Sequence, residues 1–252
     1  MYLINKYYNI KMLNNIIIII ISLMLRKVIS TKFVPKFELK HSLHIKLQKF
    51  LDEKEYPIVI THGPAGTGKT TIVCNHSIKC LKNDIYKKIV ITRPIISTDE
   101  AIGFLPGDLN EKMNPWLLPI FDVFMEYYTK TNINDMIKNG IIEIAPFSFM
   151  RGRTFKDCIV IADEMQNSTP SQMKMLLTRL GSNSKIAITG DLDQQDINTE
   201  TNGLKDLLNL LDNRYQNKYE LYNDGYGLVE FTKDIVVRQE MVKKVLDLYD
   251  LK

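Results

Sequence analysis

The sequence predicts an α/β fold in which a parallel sheet is covered by helices on both faces. From Pro57 onward, short runs of β-branched residues alternate with stretches of helical periodicity, a pattern typical of successive strand–helix–strand units. Most of these runs are almost continuously apolar, as expected for strands that are buried on both faces. The chain has 252 residues, of which 45% are hydrophobic, so it can bury one sizeable core.

Six strands and four helices follow from these patterns in chain order. The predicted strands are Pro57–Thr61, Lys88–Thr92, Ile141–Ala145, Cys158–Ala162, Lys185–Thr189 and Leu228–Phe231. The spacing of apolar residues predicts the helices Thr70–Leu81, Pro115–Tyr128, Pro170–Leu180 and Gln239–Leu251. Ser168 and Thr169 precede the third helix and are its capping candidates.

The first 35 residues form an apolar and basic extension ahead of the predicted domain at 36–252. Its apolar run, Ile16–Leu25, would span about 15 Å as a helix, against about 30 Å of bilayer hydrocarbon. Arg26 and Lys27 follow this run without a small-residue cleavage site, so a secretory signal peptide is not predicted. We expect a dispensable or mis-started extension and keep a weak membrane anchor as the alternative.

Composition and charge exclude several other classes of protein. The 33 Lys and Arg residues against 29 Asp and Glu residues give a net charge of +4, which is too small to identify a nucleic-acid binder by bulk charge. The three cysteines, Cys74, Cys80 and Cys158, contain no CxxC pair, so neither a disulfide framework nor a zinc site is predicted. Three buried free thiols and a cytoplasmic location are expected instead.

The first predicted strand runs into GPAGTGKT at residues 63–70, a full match to the phosphate-binding loop in its strand–loop–helix context. Its glycines let backbone N–H groups surround phosphate, and the following helix turns its positive end to the same anion. Lys69 is predicted to reach the β- and γ-phosphates of ATP, and the Thr70 hydroxyl to bind Mg²⁺. The predicted nucleotide-binding residues are Gly63, Pro64, Ala65, Gly66, Thr67, Gly68, Lys69, Thr70 and Thr71.

Polar side chains follow two later strands, and ligands bind at strand ends in open α/β sheets. Asp163 and Glu164 follow the strand Cys158–Ala162. Asp163 is predicted to hold Mg²⁺, and Glu164 to polarise the water that attacks the γ-phosphate. Gln194 follows the next strand and is predicted to sense the γ-phosphate. A water-activating Glu164 favours ATP hydrolysis over phosphoryl transfer to a small molecule, for which no acceptor pocket is obvious.

These motifs resemble the PhoH-like family of P-loop ATPases, which are related to superfamily 1 helicases. The resemblance covers about residues 40–250 and includes GPAGTGKT at 63–70, ITRP at 91–94, GFLPGDLNEKMNPWLLPIFD at 103–122, IEIAPFSFMRGRTF at 142–155, IADEMQN at 161–167, TGDLDQQD at 189–196, NGLKDLL at 202–208 and FTKDIVVR at 231–238. It implies a RecA-like parallel sheet and Mg²⁺-dependent ATP hydrolysis. It also implies a ring-shaped homo-oligomer, with a hexamer as one candidate, and RNA or single-stranded nucleic acid as a partner.

The resemblance further implies that Arg238, at the end of DIVVR, stabilises charge on the γ-phosphate within its own subunit or across an interface. Two positions depart from the family pattern. The chain has His44 where members tend to carry a glutamine that reads adenine, with Gln48 one turn later, so selectivity for adenine is not predicted. After Arg238 the chain reads QEM at 239–241 rather than the His-Pro-Leu expected there.

Several arginines and aromatic residues are candidates for a partner surface. Arg93, Arg151 and Arg153 could contact the backbone phosphates of nucleic acid, with internal ion pairs as the alternative. Four aromatic residues could stack on bases, with burial in the core as the alternative: Phe104, Trp116, Phe147 and Phe149. No separate recognition domain is predicted, so binding to a specific base sequence is not expected.

The leading hypothesis is an ATPase that couples hydrolysis to binding RNA or single-stranded nucleic acid, or to movement along it. Its alternative is a nucleotide-dependent assembly switch that acts on protein partners without nucleic acid. The chain has room for one RecA-like unit, so a composite site of the helicase type would need a second subunit. Homo-oligomers are therefore expected.

Overall fold

The computed structural model describes residues 33–94, 109–195 and 202–235. The chain divides into two units, 1–35 and 36–252, and the second contains the sheet and its helices. Four sequence predictions lie outside the described residues: the apolar run Ile16–Leu25, Phe104, Arg238 and the helix Gln239–Leu251. No helix in the described part of the chain is long and apolar enough to cross a membrane.

The described residues contain a six-stranded sheet in which all neighbouring strands are parallel. The strands are β1 (Ile58–His62), β2 (Lys88–Thr92), β3 (Ile142–Ile144), β4 (Cys158–Ala162), β5 (Lys185–Gly190) and β6 (Tyr226–Glu230). Their order across the sheet is β3-β2-β4-β5-β1-β6. All six predicted strands are present, and their ends differ from the prediction by at most two residues.

Seven helices accompany the sheet within the described ranges. They are α1 (Ser42–Asp52), α2 (Lys69–Lys82), α3 (Leu109–Met125), α4 (Lys130–Lys138), α5 (Pro170–Leu177), α6 (Gly203–Arg214) and α7 (Lys218–Asn223). Single 3₁₀ turns occupy Phe147–Phe149, Met165–Asn167 and Lys233–Ile235. Thr169 caps α5 as predicted, because its hydroxyl accepts a hydrogen bond from the backbone N–H of Gln172 in a capping box.

The helix predictions differ from the structure in three ways. α3 begins at Leu109 rather than Pro115 and ends at Met125, since a helix can run through a proline when packing offsets the lost hydrogen bond. α5 ends at Leu177 because the next residues pair with another segment, where the Arg179 carbonyl accepts from the Phe155 N–H at 2.8 Å. The prediction lacks α1, α4, α6 and α7, each of which follows a polar side chain that caps it: His41, Thr129, Asn202 and Asn217.

The helices lie on both faces of the sheet, as predicted. Parallel strand–helix–strand connections are right-handed in almost all proteins, so the direction of each step across the sheet decides the face. The steps from β1 to β2 and from β2 to β3 run towards one edge and place α2, α3 and α4 on one face. The steps from β4 to β5 and from β5 to β6 run towards the other edge and place α5, α6 and α7 on the opposite face.

The four inner strands, β1, β2, β4 and β5, bury side chains on both of their faces. One core cluster joins alternate strand residues to α5 and α6 and includes Ile60, Val160, Ile188, Met173, Leu176 and Leu204. The intervening strand residues Val59, Ile89 and Ile161 are buried as well. Burial on both faces explains why the strands appear in the sequence as continuous apolar runs.

One lysine is buried at the start of β5. Lys185 is 1% exposed, and its Nζ donates to the backbone carbonyl oxygens of Phe50, Glu53 and Tyr56 at 2.9, 2.8 and 2.6 Å. Burial lowers the pKa of Lys185 to about 8. These bonds fasten the end of α1 and the turn after it to the sheet.

A chain of polar contacts links the end of α1 to α2. Asp52 accepts a hydrogen bond from Lys79 at 2.8 Å and lies 3.3 Å from Nδ1 of His76, whose Nε2 is 3.1 Å from Sγ of Cys80. Burial alone would raise the pKa of Asp52, but the hydrogen bonds from His76, Lys79 and Gln48 hold it well below its usual range. Burial raises the pKa of the Cys80 thiol to about 12. All three cysteines are free and buried, as predicted.

Candidate active site

The phosphate-binding loop connects β1 to α2 and depends on glycine at two positions. Gly63 has a φ of +132°, and a side chain there would clash with the carbonyl oxygen of Phe231. Gly68 is the N-cap of α2 with a φ of +87°, and a Cβ atom there would lie 2.7 Å from the ring of Phe37. Both positions therefore combine a left-handed backbone with a close neighbour, which only glycine tolerates.

A cavity of about 180 Å³ opens at the carboxyl ends of β1, β4 and β5. It brings loop residues together with the polar residues that follow β4 and β5. Its lining residues are Ala65, Gly66, Gly68, Lys69, Thr70, Thr71, Asp163, Glu164, Thr189, Gly190, Asp191 and Gln194. The other predicted nucleotide-binding residues, Gly63, Pro64 and Thr67, shape the loop, in which the Thr67 hydroxyl donates to the Pro64 carbonyl at 2.9 Å.

Lys69 extends from the start of α2 back over the loop. Its Nζ donates to the carbonyl oxygens of Gly63 and Pro64 at 2.6 and 2.8 Å. Burial lowers the pKa of Lys69, and the carboxylates of Asp191 and Glu164 oppose this effect. The ammonium group therefore lies where it can exchange loop carbonyls for phosphate oxygens.

Asp163 joins the phosphate-binding loop to the neighbouring strand. Its Oδ1 accepts a hydrogen bond from the Thr70 hydroxyl at 2.8 Å and another from the Thr189 hydroxyl of β5. The Thr70 hydroxyl and the Asp163 carboxylate place two oxygen atoms side by side. This pair fits Mg²⁺, because the ion binds through one or two protein oxygens together with phosphate oxygens and water. The two residues predicted to hold Mg²⁺ are thus in direct contact.

Glu164 lies just beyond the end of β4 in an uncommon backbone conformation. Its φ is 53° and its ψ is 42°, a left-handed conformation that non-glycine residues adopt mainly where tertiary contacts enforce it. Its Oε2 accepts a hydrogen bond from Nε2 of Gln166 at 2.6 Å. Its Oε1 lies 3.7 Å from a guanidinium nitrogen of Arg93. The carboxylate is therefore held between two internal cationic or polar groups while it lines the cavity.

Gln166 is a buried member of the site that the sequence reasoning missed. It is 1% exposed, and its Oε1 accepts a hydrogen bond from the backbone N–H of Asp191 at 3.0 Å. Its Nε2 also donates to the Gln194 carbonyl at 3.2 Å. The available signal is the polar pair that follows the acids in IADEMQN at 161–167.

Gln194 lies in the loop after β5 and lines the cavity. Its backbone N–H donates to the Asp191 carbonyl at 3.2 Å, which keeps the loop compact. Its contact with the γ-phosphate stays a prediction. The same holds for Arg238, which is outside the described residues.

Two of the arginines considered for a partner surface form internal ion pairs. Arg93 lies 3.9 Å from Asp163 and 3.7 Å from Glu164. Arg153 lies 2.5 Å from Glu143. The ion-pair alternative therefore holds for both, and Arg93 lies beside two acids that line the cavity.

The residues after β3 present an aromatic ring and a cation to solvent. Phe149 is 58% exposed, and Arg151 is exposed as well. Phe147 is part of the core cluster, and Trp116 is half-buried on α3, where its carbonyl accepts from Arg93 at 2.8 Å. Of the aromatic candidates in the described ranges, Phe149 is the exposed one.

His44 contacts the phosphate-binding loop from α1. Its Nε2 is 2.9 Å from the carbonyl oxygen of Thr67, and its ring packs near that of Phe231 with the centroids 5.6 Å apart. Burial lowers the pKa of His44. Gln48 lies 3.2 Å from Nδ1 of His76. His44 and Gln48 thus both have internal partners.

The loop after β1 and the acids after β4 meet at the carboxyl ends of the strands of a parallel sheet, which is the arrangement of P-loop nucleoside triphosphatases. The chain therefore has the RecA-like P-loop NTPase fold that the sequence predicts. Within this class it belongs to the PhoH-like protein family, whose model matches residues 42–250. The family resemblance of the motifs is thereby confirmed.

Known relatives share this region. The chain is 43% identical to a PhoH-like protein of Bacillus subtilis (strain 168) over 197 residues, which are 78% of this chain and 59% of the relative. It is 37% identical to Protein PhoH of Escherichia coli (strain K12) over 210 residues, which are 80% of this chain and 54% of the relative. The chain thus spans little more than half the length of these relatives. The crystal structure of Pif1 helicase from Candida albicans is 15% identical, covers 85% of this chain and 44% of its own, and gives a TM-score of 0.42.

Proposed function

We propose that the protein hydrolyses ATP in a Mg²⁺-dependent reaction at the cavity between the phosphate-binding loop and the end of β4. The observation that carries this proposal is the hydrogen bond of 2.8 Å between Thr70 and Asp163, because it joins the loop helix to the acidic strand end. Lys69 and Glu164 line the same cavity. A phosphate-binding group and a water-activating group therefore share one space.

Each residue has a separate task in this reaction. The backbone N–H groups of the loop and the start of α2 bind phosphate oxygens, and Lys69 turns from the loop carbonyls to the β- and γ-phosphates. Bound Mg²⁺, held by Thr70 and Asp163, would neutralise charge on the phosphates. Glu164 orients the attacking water and accepts its proton, and Gln194 contacts the γ-phosphate.

Two substitutions separate nucleotide binding from hydrolysis. Lys69→Ala is expected to abolish phosphate release and weaken ATP binding, because it removes the cation that faces the phosphates. Glu164→Gln is expected to bind a fluorescent ATP analogue normally and to release phosphate about 100-fold more slowly or worse, because an amide cannot accept a proton from water. The matched control is Lys87→Ala, which alters an exposed lysine before β2 and should keep the wild-type rate.

Phosphate release at the wild-type rate by Lys69→Ala would overturn the assignment of the loop. The same result for Glu164→Gln would remove its role in activating water. Hydrolysis that continues after Mg²⁺ is chelated would contradict the Mg²⁺ dependence. Comparison of ATP with GTP and CTP in this assay measures base selectivity, which the internal bonds of His44 and Gln48 do not favour.

We also propose that the ATPase acts on RNA or single-stranded nucleic acid. The support is the position of Phe149 and Arg151, which follow β3 at the same carboxyl edge of the sheet as the cavity. Exposed aromatic rings stack on bases, and nearby cations contact backbone phosphates, without regard to base sequence. This combination fits a single strand better than a duplex.

Stimulation of phosphate release by single-stranded RNA or DNA tests the nucleic-acid proposal. We expect stimulation that weakens as salt rises, because backbone contacts release counterions. Phe149→Ala should raise the concentration needed for half-maximal stimulation by about 5- to 100-fold, since base stacking is worth about 1–3 kcal/mol. The matched control is Leu210→Ala on α6, whose side chain is equally exposed at 58%. Absence of stimulation by either nucleic acid would favour the protein assembly switch.

We further propose that the protein works in the cytoplasm as a ring-shaped homo-oligomer. The lining residues of the cavity in the described ranges include no arginine, and Arg93 beside it is paired with Asp163 and Glu164, so Arg238 is the candidate for the charge-stabilising arginine. Buried free cysteines support a reducing compartment.

A further inference from the structure

Gln166 occupies the centre of a hydrogen-bond network at the cavity. It lies in the 3₁₀ turn between β4 and α5. Its Nε2 donates to Oε2 of Glu164 at 2.6 Å and to the Gln194 carbonyl at 3.2 Å, and its Oε1 accepts from the N–H of Asp191 at 3.0 Å. All three partners line the cavity. One buried amide therefore connects the water-activating carboxylate to the loop after β5.

The network gives the amide a single orientation. A glutamine side chain has two N–H donors and one carbonyl acceptor, and in Gln166 each donates or accepts a bond. Rotation of the amide by half a turn would place its oxygen against the Glu164 carboxylate, where two acceptors repel. Gly190 leaves room for this arrangement, because a Cβ atom there would lie 2.9 Å from Oε1 of Gln166.

Among the described residues, the hydrogen bond from Gln166 is also the closest contact to the Glu164 carboxylate. Arg93 lies 3.7 Å from the other oxygen, beyond the range of a direct hydrogen bond. A bond to Oε2 leaves Oε1 to accept a proton from water. The strained backbone of Glu164 alone does not fix the carboxylate, because the side chain still has three rotatable bonds.

We infer that Gln166 is a positioning residue that fixes the carboxylate of Glu164 and links it to the loop of Asp191 and Gln194. Contact between this loop and the γ-phosphate is thereby transmitted to the group that activates water. The inference rests on the proposed ATP hydrolysis. The competing role is purely structural, in which Gln166 only holds the loop through the N–H of Asp191.

Two substitutions of similar size separate these roles. Gln166→Met removes all three hydrogen bonds. Gln166→Glu keeps an oxygen that accepts from Asp191 and loses the donor to Glu164. If Gln166 is a positioning residue, both variants lower kcat by about 10- to 100-fold and leave KM for ATP unchanged. A displacement of the catalytic group by about 1 Å can cost this much. In the structural role, Gln166→Glu would keep the wild-type kcat.

A double substitution distinguishes the two roles, because in a purely structural role the loss of kcat from Gln166→Met would not depend on Glu164. In the Glu164→Gln background, adding Gln166→Met should cause no further loss of kcat, because residues that act as a unit are not additive. Independent effects would multiply. The control Gln172→Met removes a capping bond to the N–H of Thr169 at 2.9 Å without touching Glu164, and should keep the wild-type kcat.

The outcomes distinguish this inference from the proposed function. Wild-type kcat in Gln166→Glu, or multiplied losses in the double variant, would overturn the inference while ATP hydrolysis stands. No phosphate release by the wild-type protein would overturn both. If Gln166→Met does not fold, as judged by its circular dichroism, the nearly isosteric Gln166→Glu decides the question alone.

Discussion

Glu164 has both an uncommon backbone conformation and two side-chain contacts at the position where hydrolysis is proposed. Its left-handed backbone is of the kind that costs about 1–3 kcal/mol and persists only where its surroundings enforce it. Those surroundings are Gln166 and Arg93, which approach its two carboxylate oxygens. Strain that is kept at a residue with a reactive side chain is consistent with a function for that residue, and the Glu164→Gln assay tests this directly.

Some residues of the site could be identified from the sequence because their chemistry is local. Lys69 and Thr70 belong to one short motif, and Asp163 and Glu164 follow one apolar strand. Gln166 could not be identified in this way, since its partners lie both beside it and in the loop after β5. A single sequence does not show which distant segments meet.

The arginines illustrate the same limit. Arg93 and Arg153 carry the charge expected of a nucleic-acid surface, and the sequence leaves open whether that charge faces solvent. Their carboxylate partners come from other strands: Arg93 meets the acids after β4, and Arg153 meets Glu143 of β3. Each position therefore became clear only when the strand order was known.

At the scale of the elements, the contact between α1 and α2 predicts a dependence of stability on pH. The hydrogen bonds to Asp52 hold its pKa below that of the unfolded chain. The corresponding stability is present above the unfolded pKa of about 3.9 and is lost progressively as the pH falls from there through the lower pKa of the folded state. Burial also lowers the pKa of His76, so protonation of this residue favours unfolding below about pH 6.5.

Asp52→Asn should therefore flatten the acid side of the stability profile. We expect the free energy of unfolding of the wild type to fall more steeply below about pH 4 than that of Asp52→Asn, as measured by urea denaturation over a pH series. Asp84→Asn alters an exposed acid just after α2 and should keep the wild-type slope. Equal slopes in the wild type and Asp52→Asn would contradict the account.

The strands and helices differ in how far the sequence could predict them. The four inner strands β1, β2, β4 and β5 appear as apolar runs because both of their faces are buried, whereas the edge strands β3 and β6 are only partly buried. α7 has only six residues, too few for a helical period to be recognised. α6 was missed although its buried residues Leu204, Leu207 and Leu211 recur at helical spacing and Asn202 caps it. The predicted start of α3 at Pro115 was wrong, because the helix begins at Leu109 and Pro115 lies inside it.

At the scale of the whole molecule, the position of β5 organises the site. β5 lies between β1 and β4, so the phosphate-binding loop and the acidic strand end are separated by one strand. The Thr189 hydroxyl of that strand donates to Asp163, and its following loop carries Gln194. Periodicity predicts that a strand exists and does not predict its neighbours, which is why this arrangement had to come from the structure.

The role of Arg238 also depends on the whole assembly, because the arginine acts either in its own subunit or across an interface of the proposed oligomer. Arg238→Ala is expected to bind ATP normally and to hydrolyse it about 10³- to 10⁵-fold more slowly, the usual range for such an arginine. Mixing this variant with Lys69→Ala should restore phosphate release if the arginine acts across an interface, because a mixed ring then contains complete sites. Failure of restoration with intact mixed oligomers would assign Arg238 to its own subunit.

A wild-type rate in Arg238→Ala would discard the role altogether. Light scattering that finds only monomers in the presence of ATP would contradict the ring and any action across an interface. The matched control for the mixed sample is Lys69→Ala alone at the same total protein concentration, which gives the background rate of phosphate release.

The contact between Phe231 and Gly63 limits how far the residues after Phe231 can extend from the phosphate-binding loop. A side chain at Gly63 would strike the Phe231 carbonyl, so this backbone is anchored directly beside the phosphate-binding loop. Arg238 is the seventh residue after Phe231, and an extended chain covers at most about 3.6 Å per residue. Within one subunit, Arg238 therefore stays within roughly 25 Å of that anchor. An arginine engaged by a neighbouring subunit would have a short covalent path back to the loop that holds its own nucleotide.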